Sequence, residues 1–167
     1  MMLIFTGRCD PPVQALIAAI PDSQLTGTGY YAEVYRYSRS RLHTQRNDDG
    51  NDGRGAWSAR RNRVGEYIQA DFGQLQQIQA VATQGKQAFD QWVTSYKFAY
   101  STDGVTYHYI TSDDGSDRVF GGNSDRHTVV EHSFDVPIVA RLVRLYPQTW
   151  NDYMALRWEV YGCSYND

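Results

Sequence analysis

Short runs of alternating apolar and polar residues recur along the chain, and each is closed by turn residues. In Glu66–Phe72 the side chains of Ile68, Ala70 and Phe72 share one face, and Gly73 ends the run. Gln77–Thr83 places Ile78, Ala80 and Ala82 inward, and Ser95–Ser101 does the same with Tyr96, Phe98 and Tyr100. Asp103-Gly104 separates this run from Val105–Ile110, a strong short-range hairpin signal. Ile138–Tyr146 and Leu156–Tyr161 follow, the last with Leu156, Trp158 and Val160 on one face. Helical pattern is scarce: Val13–Ile20 has room for a short turn of helix, and Pro21 stops it. Many short strands with Gly, Asp and Asn turns predict an all-β protein, an antiparallel sandwich or barrel.

The stretch 26–63 breaks the pattern. It is long, polar and rich in Gly, Tyr and Arg, with Leu42 and Trp57 as its obvious core anchors. Loops on a rigid sandwich are the usual seat of binding residues. Composition sharpens this: the 167 residues carry 13 Tyr against 6 Phe, and Lys86 and Lys97 are the only lysines. Tyr is stiff and amphipathic, and Arg offers a planar fork where Lys is a point charge. The net charge of −3 argues against a general nucleic-acid binder, and no apolar run reaches the roughly 18 residues of a membrane span.

Catalytic signatures are weak. His127-Thr-Val-Val-Glu131-His132 has three residues before Glu where the zinc-protease motif has two, and its middle favours a strand. Gly27-Thr28-Gly29-Tyr30-Tyr31-Ala32 mimics a dinucleotide fingerprint without a surrounding βαβ unit. No C-x-x-C, G-x-S-x-G or P-loop occurs, so the expectation is a protein that is not an enzyme. Asn47–Gly53 gathers oxygen ligands, with Asp48, Asp49 and Asp52 as weak metal candidates, but it lacks the twelve-residue calcium-loop spacing. No cofactor is expected beyond a weak calcium ion at that loop.

Cys9 and Cys163 stand near the two ends. They are either two separate buried thiols or a bridge that closes nearly the whole chain and implies an oxidising compartment. Residues 1–8 have a short apolar patch without a basic leader region and are read as a leader or expression remnant.

Nine segments in order resemble the discoidin family, also called the coagulation factor V and VIII type C domain. They are Ile20–Thr26, Gly55-Ala56-Trp57, Tyr67–Gly73, Thr83–Lys86, Trp92–Phe98, Tyr100–Val105, Val119–Asp125, Pro137–Arg144 and Ala155–Cys163. The resemblance covers Cys9 to Cys163. It implies a jelly-roll β-sandwich, with a five-stranded sheet packed on a three-stranded one. It also implies the Cys9–Cys163 disulfide, and an extracellular or secreted, non-catalytic module that can be one domain of a larger protein. The domain is then residues 9–163 with a tail at 164–167. Family members hold ligand with projecting loops, the spikes, which correspond here to Gly27–Ser40, Thr44–Arg54 and Lys86–Gln91. Two departures stand out. Ser58 replaces a Cys that many members carry after the Gly-Ala-Trp tryptophan. Arg54 replaces the acidic residue of collagen-binding members, which lowers a collagen reading.

The ligand-binding residues expected on the spikes are Tyr30, Tyr31, Val34, Tyr35, Arg36, Asp52, Arg54, Lys86 and Phe89. Between Arg36 and Arg63 eight Arg and three Asp give +5, so the rest of the chain carries about −8. That polarisation favours an acidic partner. Anionic membrane phospholipid is slightly favoured, through aromatic tips and basic residues beneath them. A galactose-type glycan is the alternative, held by aromatic faces with Asp, Asn and Arg at its hydroxyls. A protein receptor or matrix partner is the third, since Tyr and Arg are common interface anchors. Trp57, Trp92, Trp150 and Trp158 are assigned to the scaffold.

Overall fold

The computed structural model describes Cys9 and residues 13–46 and 54–166. Ten elements appear in chain order: β1 (Gln14–Ala15), α1 (Leu16–Ala19), β2 (Leu25–Gly27), β3 (Trp57–Ser58), β4 (Ile68–Gln84), β5 (Trp92–Ser101), β6 (His108–Tyr109), β7 (Phe120–Gly121), β8 (Val130–Asn151) and β9 (Ala155–Ser164). Three 3₁₀ turns, Asp22–Gln24, Glu33–Tyr35 and Tyr37–Ser40, occupy the irregular N-terminal half.

Two strands serve both layers. The first part of β4, residues 68–71, pairs with residues 142–145 of β8, which pair on their other side with 98–101 of β5. β2 flanks β4 there, while β6 and β7 share the far edge of β5. That sheet is five strands wide. After a register shift between Asp71 and Gln76, the rest of β4 lies between the first half of β8 and β9. These three make the second sheet, and β1 and β3 border β9. Every pair is antiparallel, so the five-on-three sandwich stands as expected. Gly73, at φ +75°, turns the corner, and Asp71 Oδ1 accepts its N–H at 2.9 Å. A positive φ is cheap for Gly and costly for other residues. The two alternating runs 66–72 and 77–83 are thus one strand folded across both sheets.

Alternation decides the core. Ile68, Ala70 and Phe72 from β4, Tyr96 and Phe98 from β5, Val143 and Leu145 from β8, and Leu156, Trp158 and Val160 from β9 are buried together. Each large side chain of this kind contributes roughly 1.5–3 kcal/mol on burial. Trp57 and Trp158 are fully buried and donate their indole N–H to Gly29 O and Ser40 Oγ, both at 3.1 Å. Trp92 and Trp150 are half-buried, and Trp150 packs against the core edge. The disulfide Cys9–Cys163 is formed, with Cα atoms 5.8 Å apart.

Two local expectations need correction. Asp103-Gly104 is not a two-residue hairpin turn: Tyr100 pairs with His108, so residues 101–107 form the loop and the return strand shrinks to His108–Tyr109. Asp103 Oδ1 accepts the N–H groups of Val105 and Thr106 at 2.8 and 3.0 Å, which stabilises a wider turn than Asp-Gly alone requires. Leu42 is only half-buried and is no full core anchor; its N–H instead donates to Trp158 O at 2.9 Å.

The second face of β9 is buried too, and it carries charge. Glu159 is 4% exposed and accepts the N–H groups of Ile17 and Ala18 at 2.6 and 3.0 Å. Arg157 is fully buried and donates to three carbonyls, Gly85 and Arg126 at 2.7 and 2.6 Å and Thr44 at 3.0 Å. These bonds tie loops from distant parts of the chain to one strand.

Candidate functional site

The loops held by this scaffold enclose a cavity of about 290 Å³, lined by Tyr31, Tyr35, Arg54, Ser58, Lys86, Phe89, Gln91 and Tyr153. Its floor is Lys86. The backbone of Lys86–Gln91 closes on itself, with Lys86 N–H donating to Gln91 O at 2.9 Å. Gly85 precedes it because the chain passes so close to the 125–126 segment that a Cβ would meet Asp125 O at 2.6 Å. The Lys86 side chain therefore points into the site from a rigid base.

Lys86 is 4% exposed. Its Nζ donates to Ser58 Oγ at 3.0 Å and to Gln91 Oε1 at 3.1 Å. It lies 4.1 Å from the centre of the Tyr35 ring and 5.2 Å from that of Phe89. Cation–π attraction offsets part of the desolvation cost. Burial, and then the nearby Arg54 guanidinium, lower its pKa to about 8, while Asp152 pulls the other way. Asp152 is itself engaged at 2.8 Å by Gln91 Nε2.

Arg54 forms one wall, with its Cζ 4.6 Å from the centre of the Phe89 ring. Its backbone is left-handed at φ +48°, followed by Gly55 at +65°. A non-Gly residue there stores about 1–3 kcal/mol. The neighbouring carbonyls compensate: Arg54 O and Gly55 O accept the N–H groups of Ala88 and Gln87 at 3.3 and 3.2 Å. The end of the second spike and the third spike are thereby stitched together.

The aromatic rim comes from three places, the first spike, the third spike and the β8–β9 turn. Tyr31 packs edge-on against Tyr153 at 5.8 Å and at a tilt against Tyr35 at 6.1 Å. Tyr31 N–H donates to Ser58 O at 3.0 Å, which fixes the spike to β3. Tyr153 Oη donates to Ala59 O at 2.9 Å. Tyr31 is 66% exposed and Phe89 37%, so both rings face solvent at the mouth.

Five of the residues expected on the spikes thus meet in one cavity: Tyr31, Tyr35, Arg54, Lys86 and Phe89. Three others lie outside it. Tyr30 packs edge-on against Tyr37 at 5.2 Å, and its hydroxyl donates to Glu33 at 2.9 Å. Val34 is half-buried, and Arg36 is paired with Glu33 at 3.9 Å. Asp52, with Asp48 and Asp49, falls outside the described residues. Among the described residues no group of three metal-ligating side chains gathers. Sequence reading missed Ser58, Gln91 and Tyr153. Ser58 had a signal, directly after Gly55-Ala56-Trp57, and Gln91 closes the third spike. Tyr153 comes from the β8–β9 turn, far along the chain.

Beyond Tyr153, residues Arg60, Arg61 and Arg63 line a second concavity with Thr28, exposed Val64 and Glu66. Arg63 pairs with Glu66 at 3.2 Å. Asn62 binds across to the 152–154 turn, donating to Asp152 O at 3.3 Å and accepting Met154 N–H at 2.9 Å. The arginine turn and the aromatic cavity share this wall.

No helix among the described residues is long and apolar enough to cross a membrane. Residues 30–160 match the family model described as F5/8 type C domain. Lactadherin of Mus musculus is 34% identical over 158 residues, which is 93% of this chain and 34% of that protein. Coagulation factor VIII of Homo sapiens is 32% identical over 164 residues, 95% of this chain and 7% of that protein. The chain thus spans about a third or less of these relatives. The solved structure of discoidin II of Dictyostelium discoideum superposes with a TM-score of 0.81 at 29% identity, covering 93% of this chain and 60% of that one. The described fold, the bridge between its ends and the matched residues agree: the chain belongs to the F5/8 type C domain family.

Proposed function

We propose that this domain is an extracellular, non-catalytic recognition module that seats an anionic phospholipid headgroup in the cavity of Tyr31, Tyr35, Arg54, Lys86 and Phe89. One observation carries the reading: two cations, Lys86 and Arg54, sit beneath an aromatic rim whose outer rings face solvent. A headgroup anion meets the cations, and Tyr31 and Phe89 meet the interfacial region of the bilayer. The arginine turn at 60–63 lies beside the mouth and adds attraction to the same surface. The disulfide supports an oxidising, extracellular setting. The family resemblance supports a binding module rather than a catalyst.

A glycan ligand is the second reading, favoured by the dimensions of the site. A cavity of about 290 Å³ walled by Tyr31, Tyr35 and Tyr153 suits one sugar ring, with Gln91 and Ser58 for its hydroxyls.

Co-sedimentation with phosphatidylcholine vesicles, with and without phosphatidylserine, at low and at about physiological salt, separates these. Binding that needs phosphatidylserine, weakens with salt and ignores free galactose supports the membrane reading. Absence of sedimentation with either vesicle overturns it, and competition by galactose supports the second.

A further inference from the structure

Lys86 has more donors than the described residues satisfy. An ammonium carries three N–H groups. Two are accepted, by Ser58 Oγ and Gln91 Oε1. The remaining contacts are ring faces, Tyr35 and Phe89. Around the amine stand Tyr31 and Tyr35 from the first spike, Arg54 from the segment entering β3, and Ser58 from β3 itself. Gln91 of the third spike and Asp152 and Tyr153 of the β8–β9 turn complete the surroundings. Among the described residues the one carboxylate near it, Asp152, is held by Gln91. A buried cation therefore faces a cavity, beside a second cation, with one donor that no described residue accepts.

We propose that the unspent N–H of Lys86 is the anion-recognising group of the cavity, and that ligand binding there is coupled to uptake of a proton by Lys86. This rests on the reading of the cavity as a headgroup site. With the cavity free of anion, burial and Arg54 disfavour the ammonium. An entering phosphate or carboxylate supplies the missing acceptor and the missing counter-charge. It thus favours the protonated form and, by linkage, is itself bound more weakly once Lys86 is neutral. The balance is simple: between the pKa of the free site and that of the occupied site, up to one proton moves from solvent to Nζ for each anion bound. The site then prefers anions over neutral sugars and loses that preference as pH rises.

The test uses the intact chain and phosphatidylserine vesicles between pH 6.5 and 9.5. Wild-type affinity is expected to be flat below about pH 7.5, to fall between the free and the lipid-bound midpoints of Lys86 by about tenfold for each unit that lipid raises that midpoint, and to level off above the bound midpoint. Lys86→Arg, whose guanidinium stays charged, is expected to bind with little pH dependence. It also serves as the control for titration of the lipid itself. A direct reading comes from the Nζ-adjacent carbon of Lys86 by NMR with labelled lysine, since Lys86 and Lys97 are the only lysines and give two signals. The Lys86 midpoint should rise by a unit or more on adding a short-chain phosphatidylserine, with Lys97 unmoved. Wild-type binding that matches Lys86→Arg at every pH, or a Lys86 midpoint unchanged by lipid, overturns the proton coupling and leaves the headgroup reading standing. If neither protein binds these vesicles at any pH, the headgroup reading falls, and the proposal with it.

Discussion

The guanidinium of Arg157, on the last strand, donates from Nε to the carbonyl of Gly85 at 2.7 Å, at the root of the third spike. The same group reaches Thr44 O, at the start of the second spike, and Arg126 O. A fully buried charge thus replaces a conventional core side chain, and burial lowers its pKa to about 10. Three backbone acceptors compensate for its lost hydration and in turn are satisfied by it.

Replacing that charge should loosen the site before it breaks the sandwich. Arg157→Leu leaves three carbonyls without their donor, and the expected loss is about 3 kcal/mol or more in urea unfolding. Ligand affinity should fall further than stability alone accounts for, because Lys86 follows directly from Gly85.

Arg54 sets stability against function. Its left-handed backbone suits Gly, so Arg54→Gly should keep or raise the melting temperature. The same change removes the guanidinium over Phe89, and binding to anionic vesicles should drop. A variant that loses several degrees of melting temperature would refute the strain argument.

Lys86 makes folding pH-dependent in a defined direction. Its folded pKa, about 8, lies below the ordinary lysine value of 10.5. Between these values the unfolded chain holds more protons, so the Lys86 contribution to stability improves as pH rises through that window. Lys86→Met should therefore show its largest relative gain over wild type at and below pH 7, shrinking steadily towards pH 10. Parallel urea titrations at four pH values measure this.

The arginine turn should act on membranes by charge alone. Each arginine near an anionic surface is worth about 1 kcal/mol, or roughly fivefold in affinity. Arg60→Gln, Arg61→Gln and Arg63→Gln together should weaken vesicle binding and flatten its salt dependence. Affinity for a small neutral sugar, measured by calorimetry, should not change if that sugar binds in the aromatic cavity.

The bridge between Cys9 and Cys163 spans 154 residues. Closing so long a loop restricts the unfolded chain by about 5 kcal/mol in the chain-entropy model. Cys9→Ser with Cys163→Ser should shift the urea midpoint down without moving the Lys86 pKa, because the cavity is built from other segments.

Much of the scaffold was legible in the chain. Period-two alternation depends only on which face of a strand meets the other sheet, so Ile68, Phe98 and Trp158 announced themselves locally. Gly73 reads locally as the end of a run, yet β4 continues through it and bends, because a positive φ at Gly can turn a strand as well as stop one. The same logic fails where local chemistry allows two outcomes. Asp103-Gly104 permits a tight turn, yet side-chain acceptance by Asp103 favours a wider one. Leu42 is apolar, yet nothing in its neighbourhood along the chain says how deeply it sinks.

Which spike residues converge was beyond the reach of local pattern. Tyr30 and Tyr31 are adjacent and chemically equal, but one packs on Tyr37 and the other stands at the cavity mouth. Tyr153 joins the rim from more than a hundred residues away, through β8 and β9. Neighbours in sequence share hydrophobicity and turn preference, which set strands and corners. Membership of a cavity depends on side-chain direction and on contacts between distant segments, and those exist only after the two sheets have packed and Arg157 has gathered the loops.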